Sequence, residues 1–478
     1  MRIFLFAFLF FVAQALTAQN LISSTLLLTK TKAQLNTQFG VPFIQYGAKL
    51  YRITYTTPDI NGVLDTASGL VGVPNDATKV FPRLVYQHGT SSSKLDVPSF
   101  NASNGEGTIG GLFAGMGYFS LLPDYLGLGT SRGFHPYVHA ASEASAALDM
   151  LRAAEQFVAQ LGTVQVNDQL FITGYSQGGH AAMALHKTIE QDPTQEFTTT
   201  AAAPMSGPYS ISGVMRDLIL SETPYFNPNY LPNTILSYQT VYKNLFVNLE
   251  DVFKPNYATL IEPFYKGTKS LGTLNSQLIA QLTSEFGASI PRKMLQESIV
   301  NEVINNPNHP FNLALRDNDV YQWAPEAPTR VFYCKADDQV PYRNSIVARD
   351  TMSALGAVDF QVIDVDSTQD HGGCVTPAII QTLLFFAGFQ QVTTSSNTPE
   401  AVLDFQLAPN PAREEITLRE LPFDGLLDLI DIHGRVYFST PVTTSGLSIQ
   451  VGTMPSGIYM VRLQNGENSV MKKMVVQR

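Results

Sequence analysis

Lys49 to Thr57 and Leu64 to Val73 alternate between apolar and polar residues, the two-residue period of strands with one buried face. The turn-forming run Pro58-Asp59-Ile60-Asn61-Gly62 separates them, so the pair predicts an antiparallel hairpin. Short apolar runs follow at Pro82 to Gln87, Gly117 to Leu122, Gln169 to Thr173, Thr198 to Pro204, Arg330 to Tyr333 and Phe360 to Val365. Between them lie stretches of helical character, including the alanine-rich Ala141 to Leu161 and the segment Ala181 to Lys187. Strands alternating with helices predict an α/β architecture, a mostly parallel sheet with helices on both faces.

Two regions break this rhythm. Between Ser206 and Thr329 the stretches Ile235 to Phe253, Leu274 to Phe286 and Lys293 to Ile304 read as helices among Pro-, Asn- and Tyr-rich segments. We expect a helical cap over residues 207–329 inside a domain spanning 19–390; a separate domain without a role at the site is the alternative. Residues 391–400 form a polar linker. Beyond it, over 401–478, come short alternating runs: Glu415 to Leu421, Leu426 to Ile432, Arg435 to Ser439, Leu447 to Val451, Ile458 to Leu463 and Val470 to Gln477. Their spacing predicts a small β-sandwich.

The 478 residues are 44% hydrophobic and 15% charged, with a formal net charge of −10, so the chain is globular and acidic. An acidic surface without basic runs argues against nucleic acid or an anionic membrane as partner. Met1 to Ala18 has the make-up of a secretory signal: Arg2, the apolar run Ile3 to Val12, then small residues that allow cleavage after Ala15 or Ala18. The apolar run is too short for a membrane span, and no later segment is longer, so the expected mature chain is exported and has no transmembrane segment. Export permits disulfides. A Cys334–Cys374 bridge would close a loop of about 40 residues, worth roughly 4 kcal/mol; two independent buried thiols are the other possibility.

The chemistry centres on Gly174-Tyr175-Ser176-Gln177-Gly178-Gly179-His180, a G-x-S-x-G motif with a strand before it and a helix after it. That context resembles the nucleophile elbow of α/β-hydrolases, in which the serine sits on a sharp strand-to-helix turn. An ordinary tight turn whose serine caps the helix is the alternative. A serine nucleophile needs a base and an orienting acid, and in this fold they follow it in the order Ser, acid, His. Of eight histidines, His371 alone lies after the acid strand and before the tail, in Asp370-His371-Gly372-Gly373-Cys374; we expect a loop there, preceding a helix at Pro377 to Phe386. The resemblance places the acid at Asp337, three residues before Val340-Pro341, with Asp338 as a close rival. For the oxyanion it implies the backbone N–H of Gln177 and a donor from His88-Gly89-Thr90, with Thr90 favoured and Gly89 allowing close approach. Asp124, His135 and His139 read as structural rather than metal-binding, and no nucleotide-binding glycine loop implies a cofactor.

Together with Pro123-Asp124-Tyr125-Leu126-Gly127, these motifs resemble the secretory lipases related to fungal lipase A over roughly residues 40 to 390. The resemblance implies a carboxylic-ester hydrolase acting on a small-molecule or lipid ester. A prolyl or X-prolyl serine peptidase, gripping a substrate amine through cap acids such as Glu250, Asp251 or Glu262, is the second reading. A non-catalytic surface binding protein is the third. The tail, with Leu407-Ala408-Pro409-Asn410-Pro411, Ile432-His433-Gly434-Arg435, Ser456-Gly457-Ile458-Tyr459 and Lys472-Lys473, resembles the C-terminal sorting domain of the type IX secretion system. That resemblance implies the secretion machinery as a partner and a protein released or held at the cell surface.

Overall fold

The computed structural model describes residues 20–40, 44–394, 405–421, 424–443, 445–465 and 469–477. The expected leader and most of the linker lie outside them. Nine strands build the central sheet: β1 (Leu21–Lys30), β2 (Ala48–Pro58), β3 (Leu64–Pro74), β4 (Lys79–Gln87), β5 (Phe119–Pro123), β6 (Gln165–Tyr175), β7 (Ala201–Met205), β8 (Thr329–Tyr333) and β9 (Phe360–Asp364). Their order is β1-β2-β3-β5-β4-β6-β7-β8-β9, and Thr393–Thr394 adds a short tenth strand on β4. β1, β2, β3 and β5 pair antiparallel; β5-β4-β6-β7-β8-β9 are parallel throughout.

Successive side chains along a strand point to opposite faces, and the core divides accordingly. Val71, Val85, Leu121, Ile172 and Ala202 belong to one buried cluster, while their neighbours Leu70, Leu84, Leu122, Phe171 and Ala203 belong to another. Helix Ala140–Leu161 covers the first face with Ala147, Met150, Leu151, Ala154 and Phe157, apolar positions recurring every three or four residues. Helices Gly107–Gly115 and His371–Ala387 cover the second.

Two strands differ from their expected form in ways the chemistry explains. β4 begins three residues before Pro82, and its pairing with β6 slips between Phe81 and Arg83, so the proline sits at a bulge where its missing N–H costs no ladder bond. β1, not anticipated, is an edge strand whose register on β2 slips twice, between Leu21 and Ser23 and between Leu26 and Leu28.

Between β7 and β8 the chain forms helices Tyr230–Tyr242, Pro255–Tyr265, Leu271–Phe286, Glu297–Asn305 and Pro310–Asp317, preceded by a π-helical turn at Ile211–Met215. The helix expected over Ile235 to Phe253 starts earlier and stops at Tyr242, where Lys243 takes the left-handed conformation (φ 61°) and ends it. These helices share their own core, which also takes in Tyr137 and Val138 from the loop before Ala140. Ser237 Oγ donates to His135 O at 2.9 Å and Tyr238 Oη to Val138 O at 3.1 Å, tying the inserted helices to that loop. Tyr225 Oη and Tyr230 Oη reach the main-chain and side-chain oxygens of Gln339, at 2.8 and 3.1 Å.

The tail is a small β-sandwich. One sheet runs Gln406–Ala408, Glu415–Arg419, Gly446–Gln450, and the other Val436–Val442, Gly425–Asp431, Gly457–Gln464, Ser469–Val476. Ile416, Leu418, Leu429, Ile449, Val461 and Met474 fill the space between them.

Candidate active site

β6 ends at Tyr175, and helix Gln177–Glu190 starts two residues later, so Ser176 must make the whole turn. It does so at φ 60°, ψ −121°, a conformation costly for a residue with a side chain. Its N–H donates to Met205 O at 3.0 Å, and its side chain makes no helix-capping bond, which leaves the hydroxyl unspent. The flanking glycines are dictated by crowding. A β-carbon at Gly174 or Gly178 would collide with the Gln87 carbonyl, and one at Gly179 with the Met205 carbonyl.

The candidate acids follow β8. Asp337 Oδ1 accepts the N–H groups of Gln339 (3.0 Å) and Val340 (2.8 Å), which fixes the carboxylate, and Oδ2 lies 2.7 Å from His371 Nδ1. Asp338 does different work: its Oδ1 accepts the backbone N–H of His371 at 3.1 Å. The two candidate acids are thus distinguished by geometry.

His371 does not sit in a loop. It is the first residue of helix His371–Ala387, capped by Asp370, whose Oδ1 accepts the Gly373 N–H at 2.7 Å. Pro377 lies inside that helix, where it has no N–H to give the Gly373 carbonyl four positions back. The imidazole packs against Tyr175 (ring centroids 5.0 Å apart), and Tyr175 Oη donates to His371 O at 2.6 Å, so the ring is held beside the residue that precedes Ser176. Among the described residues no hydrogen bond joins the imidazole to Ser176 Oγ; the imidazole's bond is to Asp337. Cys334 and Cys374 form a disulfide with Cα atoms 5.9 Å apart, three residues before Asp337 and three after His371.

The expected oxyanion donors occupy one neighbourhood in different states. Gln177 and Thr90 have backbone N–H groups without a protein acceptor among the described residues. Thr90 Oγ1 is 3.1 Å from Tyr137 Oη. Gly89 N–H is already donated to the Glu106 carboxylate, at 3.0 Å to each oxygen, so Gly89 contributes room rather than a donor. A β-carbon there would meet Glu106 Oε1 at 3.0 Å.

A cavity of about 110 Å³ runs from Ser176 into the inserted helices. Tyr137, Tyr230, Ile211, Met215, Ile235, Leu295, Val303 and Phe311 are among the residues that line it. Among the described residues Arg216 is the single charged one that lines it. Glu250 and Asp251 are exposed on a short turn, and Glu262 pairs with Lys266 at 2.6 Å; none of the three borders the cavity.

Asp124 accepts from Ser68 Oγ (2.6 Å), Ser99 Oγ (2.5 Å) and Ser99 N–H (3.0 Å), a buried brace for the loop after β5. Burial holds His135 and His139 neutral, each lowered to about 4. Among the described residues no three His, Cys, Asp or Glu side chains converge as metal ligands would, and no helix is long and apolar enough to cross a membrane.

One group of residues was not anticipated. Glu143 and His180, both fully buried, lie directly under the elbow and bond to each other at 2.7 Å. Glu143 also accepts from the side chain of Gln177 at 2.9 Å. Nothing in a single sequence links positions so far apart, and the burial of an acid in the first turn of an alanine-rich helix is not visible there.

A mostly parallel sheet flanked by helices, with a strained serine on the turn after β6, the fourth strand from the β9 edge, and helices inserted before β8, defines the α/β-hydrolase fold. Solved structures agree. The chain is similar to the rice cell wall degrading esterase LipA from Xanthomonas oryzae, with 26% identity over 77% of this chain and 98% of that one, TM-score 0.68. A structure from Legionella pneumophila matches at 26% identity, 77% and 98% coverage and TM-score 0.69. Candida antarctica lipase A in its closed state shares the fold at 13% identity, covering 80% of this chain and 84% of that one, TM-score 0.58. Residues 406–477 match the secretion system C-terminal sorting domain family. The tail is therefore a type IX sorting domain, and the protein is exported, secreted or attached at the cell surface. Among curated protein sequences none matches the chain significantly.

Proposed function

We propose that the protein is a secreted serine hydrolase that cleaves carboxylic esters, with Ser176 as nucleophile, His371 as general base and acid, and Asp337 as the orienting acid. The observation that carries this reading is the Asp337–His371 pair held beside a strained serine that opens into an apolar cavity. His371 Nε2 takes the Ser176 proton as Oγ attacks the ester carbonyl, while Asp337 keeps the proton on Nδ1 and stabilises the imidazolium. The N–H groups of Gln177 and Thr90 receive the oxyanion. The tetrahedral intermediate collapses, the alcohol leaves with the proton from His371, and water activated by the same imidazole frees the acid from Ser176.

The cavity favours an ester over a peptide substrate. A prolyl-type peptidase needs an anion to hold a substrate amine, and here the acids lie off the cavity while the charged lining residue is a cation. Aliphatic walls suit an acyl chain instead. The similarity to an esterase supports the same choice. We propose further that residues 1–18 are a leader, 207–329 the cap and 19–390 the catalytic domain.

The test is Ser176→Ala, which should lower turnover of p-nitrophenyl butyrate by at least about 10⁴-fold and abolish fluorophosphonate labelling. Full activity in that variant, or preferential cleavage of proline p-nitroanilides by the parent protein, would overturn the proposal.

A further inference from the structure

Resting on that reading of the site, we propose that Glu143 is a positioning residue for the oxyanion donor: its carboxylate grips the first turn of the elbow helix and sets the direction of the Gln177 backbone N–H. One oxygen accepts from Gln177 Nε2 at 2.9 Å, and the other lies 2.7 Å from His180 Nδ1. Gln177 and His180 are three residues apart, hence on one face of the helix. A single carboxylate therefore spans that turn.

Each partner is itself fixed. Both His180 nitrogens face acceptors, Nε2 the Asn318 carbonyl at 2.9 Å and Nδ1 the Glu143 carboxylate, so the ring satisfies both as an imidazolium that donates from each nitrogen. Burial opposes a charged ring there, but the carboxylate and its hydrogen bond outweigh it, and the His180 pKa is raised. The second N–H of the Gln177 amide meets His135 Nε2 at 2.9 Å. That nitrogen accepts because Nδ1 donates to Leu126 O at 2.8 Å. Among the described residues Gln177 Oε1 has no partner although it is buried, so the amide is held there through its two N–H groups. An amide clamped from both sides cannot rotate without breaking two bonds. Its own peptide N–H, the one leading to the Ser176 carbonyl, is the group aimed at the reacting carbonyl.

Such a device acts on the transition state more than on substrate binding, because the oxyanion develops only there. Loss of a donor outright costs about 10²–10³-fold in kcat, so misdirecting it should cost about 10- to 100-fold.

Three variants test this, with p-nitrophenyl butyrate turnover normalised to sites titrated to completion with fluorophosphonate. Gln177→Leu keeps the backbone N–H but removes its anchor; Glu143→Leu removes the clamp. Both should lose about 10- to 100-fold in kcat with KM within about twofold. Glu143→Gln should return to within about threefold of the parent, because its amide oxygen can accept from Gln177 while its N–H₂ donates to a neutral His180. A purely structural role would change the folded fraction but not kcat per titrated site. Parental kcat in Gln177→Leu, or a Glu143→Gln variant as impaired as Glu143→Leu, overturns the inference, and Gln177→Leu decides alone if Glu143→Leu does not fold. A parent protein that hydrolyses no ester and takes no fluorophosphonate sinks the ester-hydrolase reading and this inference with it, whereas an active parent with unaffected variants sinks this inference only.

Discussion

Replacing Cys334 and Cys374 together by alanine should weaken both the fold and the site. The bridge closes a 40-residue loop, and the chain-entropy relation assigns such a loop about 4 kcal/mol, about a thousandfold in the folding equilibrium. Both sulfurs are fully buried, so the variant also loses packing. The bridge does more than staple a loop. Asp337 N–H donates to the Cys334 carbonyl at 3.2 Å, and Cys374 N–H donates to the Asp370 carbonyl at 3.0 Å, so the cross-link ties the turn carrying Asp337 to the first turn of the helix carrying His371, the acid and base we propose. Without it the 2.7 Å Asp337–His371 contact depends on the surrounding packing alone. We expect a loss of about 4 kcal/mol in urea denaturation followed by circular dichroism. We also expect kcat per titrated site to fall by about tenfold at a temperature where the variant remains folded. A stability change below about 1 kcal/mol together with unchanged kcat would refute the reasoning; a large stability loss with unchanged kcat would confine the bridge to holding the fold.

Two further outcomes follow from the buried rings and the cavity. Burial lowers His135 and His139 from 6.5 to about 4; the unfolded chain binds more protons between those values, so stability falls as pH drops through that window, by about 2 kcal/mol per ring at about pH 5. Urea titrations at about pH 7 and pH 5 should show the loss, and His139→Asn should remove about half of it; an unchanged pH dependence in the variant contradicts the assignment. Ile235→Trp places bulk in the cavity and should cut turnover of long-chain p-nitrophenyl esters by at least about tenfold while sparing the butyrate ester to within about threefold. Equal losses on short and long chains would show that the cavity does not hold the acyl chain.

The elbow was legible because its chemistry is local: Gly174, Gly178 and Gly179 stand where backbone carbonyls leave no room, and the strand and helix around them show in hydrophobic patterning. Chain order nominated a candidate acid and base, yet Asp337 and Asp338 separated only in three dimensions, where one meets the ring and the other the backbone of the same histidine. The helix at His371 was hidden by Pro377, a residue that ordinarily opens helices rather than lying inside them. The insertion's helices were visible as a region, but their ends depend on tertiary packing and on single left-handed residues such as Lys243. Glu143 and His180 were beyond reach altogether. Their meaning lies in contacts across 34 and 37 positions, and a buried acid inside an alanine-rich helix looks from sequence like an exposed one.

The broken register of β1 bears on life outside the cell. An outermost strand offers its free amides and carbonyls to any other chain, and this one also exposes Ile22 and Leu26. Its two bulges interrupt the regular row of donors and acceptors, leaving no long straight template against which a second copy could zip. A protein that works beyond the reach of cytosolic chaperones thus carries protection against edge-to-edge aggregation in the irregularity of its first strand.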